Sequence, residues 1–132
     1  MKITRVYGDA EGVTHFEEIP IVVPSGKKWT NSPALASAHI VFRSYAPPDP
    51  DRVYDPHPTH TRQFMVMVSG RKEIETSDGE RQTFQAPDVL LMDDGGSAGH
   101  ITRTLSDDRW QLSIELPESF DLARWIEEVR GL

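Results

Sequence analysis

The chain has 132 residues, of which 27% are charged and 37% are apolar, and it carries a formal net charge of −7. This composition is ordinary for one globular domain in water. The acidic balance argues against surfaces that bind nucleic acid or anionic membranes, because both need clustered lysine and arginine. The absence of cysteine excludes disulfides, thiolate metal ligands and cysteine nucleophiles.

The first twelve residues, MKITRVYGDAEG, lack the apolar segment of a secretory signal. No run approaches the roughly 18 consecutive apolar residues that a membrane-spanning helix needs. We therefore expect a cytoplasmic protein that has neither a membrane nor a nucleic acid as its partner.

Short stretches with alternating apolar and polar residues, separated by turns, predict an all-β fold. Nine strands are expected, at residues 2–7, 16–23, 36–45, 62–69, 71–76, 81–85, 89–93, 100–105 and 110–116. Pro20 and Pro24 make the second an edge strand or an extended arm, and Ser77 to Glu80 forms a hairpin turn with Asp-Gly chemistry. Five prolines between residues 46 and 58 predict a rigid, extended connection. Many short strands at regular spacing are typical of a β-sandwich or a barrel.

The C-terminal end predicts one amphipathic helix, at about residues 119–130. Ser119 is the expected N-cap, and Gly131 ends the run. Four apolar residues recur at helical spacing: Leu122, Trp125, Ile126 and Val129. This apolar stripe predicts that the helix docks on the β-domain or on a partner subunit.

The stretch from Asp55 to Gly70, DPHPTHTRQFMVMVSG, is the strongest candidate for a functional site. It holds two histidines, His57 and His60, followed by Gln63 and an apolar strand. A third histidine, His100, follows a glycine-rich loop in which Asp93 and Asp94 are expected to serve turn geometry. Imidazoles just before a strand, with a distant third one, indicate a metal or small-molecule site in a β-barrel.

These motifs resemble those of the cupin superfamily, in particular small single-domain bacterial cupins. Relative to Gly70, His57 falls on the first histidine position of the first cupin motif, Thr59 on the second and Gln63 on the glutamate position. His100 falls on the histidine of the second motif, and Phe84 to Met92 resembles the turn and strand before it. The resemblance implies a single domain over residues 1–132. Its fold is a double-stranded β-helix (jelly-roll barrel) with a core at about 37–116, often dimeric, with a site in the barrel mouth.

Two of the four usual metal ligands of the family are replaced here, by Thr59 and Gln63. A catalytic metal site needs at least three protein ligands around an open position, and an amide oxygen is a weak ligand. We expect any divalent metal (Zn, Fe, Mn or Ni) to be held weakly by His57, His100 and Gln63. His60 lies out of phase with residues 57, 59 and 63 on an extended chain, but Pro56 and Pro58 leave its inward orientation open.

Further residues are candidates to line the pocket. Met65 and Met67 share the parity of Gln63 and serve either as an adaptable cavity wall or as ordinary core. The other candidates are Thr59, Arg43, Thr102 and Tyr54. An arginine among them offers a clamp for a carboxylate.

Three functions follow as hypotheses. The first is a cupin that binds a small polar or carboxylated molecule. The second is a metal-dependent enzyme (a dioxygenase, isomerase or lyase) acting on a small organic acid, which needs His60 as a ligand. The third is a non-catalytic interaction module. A homodimer is expected, and whether the protein is an enzyme stays open.

Overall fold

The structure is a computed structural model that describes residues 1–132, and it is all-β with one C-terminal helix. The strands are β1 (Lys2–Gly8), β2 (Thr14–Pro20), β3 (His39–Ser44), β4 (Gln63–Ser69), β5 (Arg71–Thr76), β6 (Arg81–Gln85), β7 (Val89–Asp93), β8 (His100–Thr104) and β9 (Trp110–Glu115), and the helix is α1 (Leu122–Arg130). All nine predicted strands are present. The second and third are shorter or shifted, and the expected helix begins three residues later.

The strands form two separate sheets. The larger has the order β2-β1-β7-β4-β9-β3, and the smaller has the order β6-β5-β8. Every neighbouring pair is antiparallel except β1 and β7. The strand that ends at Pro20 is an edge strand, as predicted, because proline cannot donate to a ladder. The ladders do not close into one continuous barrel.

The two sheets face each other across an apolar core. Val6, Leu90 and Met92 from the larger sheet pack with Ile74 and Phe84 from the smaller sheet. Each is at most 3% exposed. Burying one such side chain stabilises the fold by about 1.5–3 kcal/mol. This core occupies one end of the space between the sheets and leaves the other end to polar side chains.

The helix covers the outer face of the larger sheet. Its four apolar residues are all buried, and the Trp125 ring meets Phe64 of β4 edge-on at a centroid distance of 5.3 Å. The prediction of Ser119 as the N-cap is wrong: Asp121 caps the helix by accepting a hydrogen bond from the Arg124 N–H at 3.0 Å. The helix was expected to pack on the β-domain or on a partner subunit, and in the structure it packs on the β-domain of its own chain. No helix has the length and apolar character that a membrane crossing requires.

The proline-rich connection between β3 and β4 contains no regular element, as expected. One isolated bridge pins it to β8: the backbone N–H groups of His57 and His100 each donate to the carbonyl of the other at 3.1 Å. Gly99 makes this approach feasible. Its φ is +82°, and a Cβ there would lie 2.2 Å from the carbonyl carbon of His57.

Candidate functional site

A cavity of about 590 Å³ opens between the two sheets, beside the connection that carries His57. It takes in nine of the ten residues that the sequence predicted for a site: Arg43, Tyr54, His57, Thr59, His60, Gln63, Met65, His100 and Thr102. They come from four parts of the chain: β3, the proline-rich connection, β4 and β8. The candidate site is therefore one contiguous space.

Met67 is the exception among the predicted pocket residues. Its side chain is 2% exposed and packs in the core between the sheets. Met65, two residues earlier on the same face of β4, reaches the cavity. In the β4–β9 register Met67 lies opposite Gln111, at a level where apolar core side chains fill the space between the sheets. The cavity wall therefore contains one methionine of the two.

His57 and His100 lie side by side at the cavity. Their ring centroids are 5.5 Å apart. The His100 ring is 5% exposed, whereas His57 is exposed at the rim and its Nδ1 lies 3.2 Å from the carbonyl oxygen of Asp55. A backbone carbonyl, and not the Asp55 carboxylate, is thus the group that contacts this ring. One bound atom or group at the cavity can meet both rings.

Asp94 holds His100 from behind, which corrects its predicted role in the turn. Its carboxylate is fully buried, with Oδ2 2.5 Å from Nδ1 of His100 and Oδ1 accepting the Thr59 N–H at 3.0 Å. Burial raises the pKa of Asp94, but the hydrogen bonds and charge of His100 and the bond from Thr59 outweigh burial and bring the pKa below its ordinary value. An ionised Asp94 favours the His100 tautomer with its proton on Nδ1, which leaves Nε2 as an acceptor or ligand.

The four predicted metal ligands all line the cavity, but their histidines do not form a metal-binding cluster. No group of three or more His, Asp or Glu side chains is arranged to hold a metal ion, and His60 is exposed. Gln63, the third predicted ligand, lines the same cavity. Its amide nitrogen donates to the Thr61 carbonyl, and its Oε1 is buried with no hydrogen-bond donor. The residues that fit a metal are therefore His57, His100 and Gln63, and such a site stays a prediction.

Two cationic side chains are buried at the cavity, and neither was predicted. Lys72 is 2% exposed and Arg109 is 1% exposed, and both are cavity-lining residues. Neither takes part in an ion pair with a carboxylate. Lys72 Nζ contacts only neutral acceptors, Gln111 Oε1 at 3.1 Å and Met65 Sδ at 3.3 Å. Burial, and then the charge of Arg109, lower the pKa of Lys72 to about 7.

The guanidinium of Arg109 stacks on an aromatic ring. Its Cζ lies 3.5 Å from the ring centroid of Tyr45, and Nη1 donates to Thr104 Oγ1 at 2.9 Å. Its Nε is buried and has no hydrogen-bond partner. Burial lowers the pKa of Arg109, although Tyr45 works in the opposite direction. A buried guanidinium held by one hydroxyl and one ring retains capacity for an acceptor from a ligand.

The charge of the cavity wall opposes that of the whole chain. Four cationic side chains line it, Arg43, Arg52, Lys72 and Arg109, against two carboxylates, Asp55 and Glu115. Glu115 is itself engaged, with Oε2 3.3 Å from His39 Nδ1 and Oε1 3.8 Å from Arg43 Nη2. A cationic wall in a chain of net charge −7 favours an anionic ligand.

A pattern in the sequence does point to these missed residues. On β5, Lys72 shares its face with Ile74, the only apolar residue of that strand, which marks the inward face. Polar and apolar residues also alternate from the residue before β9 into that strand. The polar residues Arg109, Gln111 and Ser113 are buried, whereas Trp110 and Leu112 between them are not. A strand with its polar face inward indicates a polar cavity, but only if the orientation of the strand is known.

Comparisons with known proteins give no family for this chain. No model of a protein family matches it, and a search of curated proteins finds no match.

Proposed function

We propose that this protein is a cupin-type domain that binds a small carboxylated molecule in the cavity between its sheets. The jelly-roll assignment is supported by the resemblance of the motifs around His57 and His100, and by two facing sheets with both histidines at one cavity. The ligand class is supported by the buried cations.

The carrying observation is that Lys72 and Arg109 are buried at the cavity without a carboxylate partner. An unpaired buried charge is costly, and an anionic ligand in the cavity would supply the missing partner. A carboxylate placed against the guanidinium of Arg109 would accept from two of its N–H groups, the bidentate geometry that makes Arg–carboxylate pairs strong. The cavity volume of about 590 Å³ is in the range of small-molecule sites.

Calorimetric titration with small dicarboxylates, such as oxalate, malonate and succinate, tests this function. We expect at least one to bind, and the uncharged diamide of the same acid not to bind. Arg109→Gln should weaken binding about tenfold or more, since a hydrogen bond to a charged group contributes about 1.5–3 kcal/mol. Arg81→Gln is the matched control, because Arg81 is exposed and pairs with Glu75 outside the cavity. If no carboxylate binds, or if both variants lose binding equally, the proposal is wrong.

A metal-dependent enzyme is the second candidate. His60, the ligand this function was expected to need, is exposed, and the buried Oε1 of Gln63, which has no donor, takes its place as third ligand in this proposal. A divalent metal held by His57, His100 and Gln63 would act as a Lewis acid on a bound organic acid. Metal analysis of protein purified without chelators tests this function. Gln63→Glu should raise the metal content because a carboxylate is the better ligand, and His100→Ala should lower it, with His39→Ala as the control. A chain that gains no metal on Gln63→Glu would exclude it.

We also propose that a second copy of the chain covers the outer face of β3 and β9. Ile40 and Phe42 are 62% and 69% exposed there, beside the exposed Trp110 and Val68. Polar residues of the same strands point inward, so the apolar face lies on the outside, where a partner buries it. Phe42→Glu should convert a dimer to a monomer in analytical ultracentrifugation, whereas Val22→Glu, at an exposed apolar residue elsewhere, should not. An unchanged mass for Phe42→Glu contradicts the dimer.

A further inference from the structure

Lys72 differs from an ordinary anion-binding lysine in the groups that surround its nitrogen. Nζ has two hydrogen-bond acceptors, Gln111 Oε1 and Met65 Sδ. The Gln111 amide is itself oriented, because its Nε2 donates to Ser113 Oγ at 3.1 Å and its oxygen thereby faces Lys72. A protonated lysine has three N–H donors to satisfy, whereas a neutral amine has two donors and a lone pair. The environment matches the neutral amine.

Arg109 supplies positive charge next to this amine. Thr104, whose hydroxyl accepts from Arg109 Nη1, is the residue paired directly across the strands from Lys72. Cross-strand neighbours have their Cβ atoms about 4.5–5.5 Å apart. A carboxylate bound to Arg109 therefore brings the adjacent carbon of the same molecule towards Lys72 Nζ.

We infer that Lys72 is a nucleophile that forms an imine with a small 2-oxo acid, whose carboxylate is bound by Arg109. This inference rests on the anion site proposed above and adds covalent chemistry to it. The amine lone pair attacks the ketone carbon, and a C–N bond forms as the C=O π bond opens. The nitrogen then loses its two protons, the former carbonyl oxygen leaves as water with those protons, and a C=N bond remains. No oxidant or reductant takes part in the step.

The protonation state of Lys72 supports this step. At pH 7 about half of a lysine with a pKa of about 7 is free amine. That is roughly a thousandfold more than for an exposed lysine with a pKa near 10.4. A lysine depressed in this way by burial and a neighbouring cation is the usual form of an imine-forming residue. The other three lysines, Lys2, Lys27 and Lys28, are all exposed.

Reductive trapping with pyruvate and sodium borohydride tests the inference on the intact protein. We expect the mass of wild type to rise by one carboxyethyl group, and peptide mapping to find that group on Lys72. Oxalate, which has no ketone, should protect Lys72 by competing for Arg109. The trapping rate should rise with pH and level off above about pH 7. Lys72→Arg, which keeps a cation but forms no imine, should lose labelling at least tenfold, and Lys2→Arg should be labelled as wild type is.

Other outcomes overturn the inference. Labelling that is spread over Lys2, Lys27 and Lys28, or a rate that rises only near the pKa of exposed lysines, would show that Lys72 is not the nucleophile. Should Lys72→Arg fail to fold, the mapping and the oxalate protection in wild type still decide. Oxalate that binds in calorimetry without any pyruvate adduct refutes the imine and leaves the anion site standing. Failure of oxalate, malonate and succinate alike to bind refutes the anion site itself.

Discussion

Asp94 Oδ2 lies 2.5 Å from Nδ1 of His100, with both side chains removed from solvent. The two residues are six apart in the chain, and the glycine-rich loop between them folds back so that they meet. The same carboxylate accepts the backbone N–H of Thr59. Asp94 therefore ties the proline-rich connection and the strand of His100 together at the edge of the cavity.

Asp94→Asn should destabilise the protein by about 1–3 kcal/mol at neutral pH, because a buried charge-assisted hydrogen bond is lost. The lowered pKa of Asp94 sets the pH dependence: its contribution is present above the ordinary pKa near 3.9 and is lost as pH falls through the lower folded value. Urea denaturation of both proteins should show a difference that shrinks below about pH 3. Asp107→Asn, in an exposed turn, is the control. If Asp94→Asn is as stable as wild type at neutral pH, the contacts of Asp94 with His100 and Thr59 do not stabilise the fold.

Lys72→Met should stabilise the protein near neutral pH, an unusual direction for a buried substitution. The lowered pKa of Lys72 means that the unfolded chain binds more protons between about pH 7 and pH 10.4, so wild-type stability rises across that window. Methionine removes this penalty, and we expect a gain of about 1–4 kcal/mol at about pH 6 that narrows at about pH 10. Urea denaturation at the two pH values measures it. A larger gain at the higher pH would refute the unpaired buried cation, and Lys2→Met is the control because Lys2 is exposed.

His15 bridges the carboxylates of two turns in a pH-sensitive contact. Its Nε2 lies 2.7 Å from Asp9 Oδ2 and its Nδ1 3.0 Å from Asp78 Oδ2. The hydrogen bond to Asp9, followed by that to Asp78, raises the pKa of His15 despite some desolvation. This contribution to stability is full below the unfolded pKa near 6.5 and is lost as pH rises through the higher folded value.

His15→Gln should therefore lower the melting temperature at about pH 5.5 and have a smaller effect at about pH 8.5. Thermal unfolding at both pH values tests this, with His60→Gln as the control because His60 is exposed and has no carboxylate partner. If the difference in melting temperature between His15→Gln and wild type grows with pH, protonated His15 does not stabilise the fold through Asp9 and Asp78.

Gly99→Ala should damage the site more than Gly96→Ala, although both glycines have a positive φ. An added Cβ at Gly99 would lie 2.2–2.6 Å from backbone atoms of His57 and Pro58, whereas a Cβ at Gly96 would have no atom within 4 Å. Both variants carry the backbone strain of about 1 kcal/mol, and only Gly99→Ala adds a clash. Urea denaturation should rank them in that order, and histidine NMR signals should shift only in Gly99→Ala. Equal losses would mean that the His57 bridge is not as tight as the structure has it.

The strands were the most predictable part of the protein. Strands β5, β6 and β7 have the predicted bounds, because each is flanked by turns that contain glycine or proline. The third strand, predicted at 36–45, begins only at His39, since its pairing with β9 starts there. The buried face of the helix was predicted correctly because its four apolar residues lie at fixed helical spacing. The N-cap was not, because Ser119 and Asp121 are both polar residues suited to that position and spacing alone does not choose between them.

The sequence by itself determined the order of the elements and the division of each strand and of the helix into two faces, because both depend on local spacing. Only the tertiary structure decided that Lys72 and Arg109 meet at one cavity and that Asp94 supports His100. Lys72 lies on the smaller sheet and Arg109 leads into a strand of the larger one, and their burial depends on how the sheets stack. Local periodicity assigns a residue to one of two faces, and the long-range packing of the sheets decides which face becomes the interior.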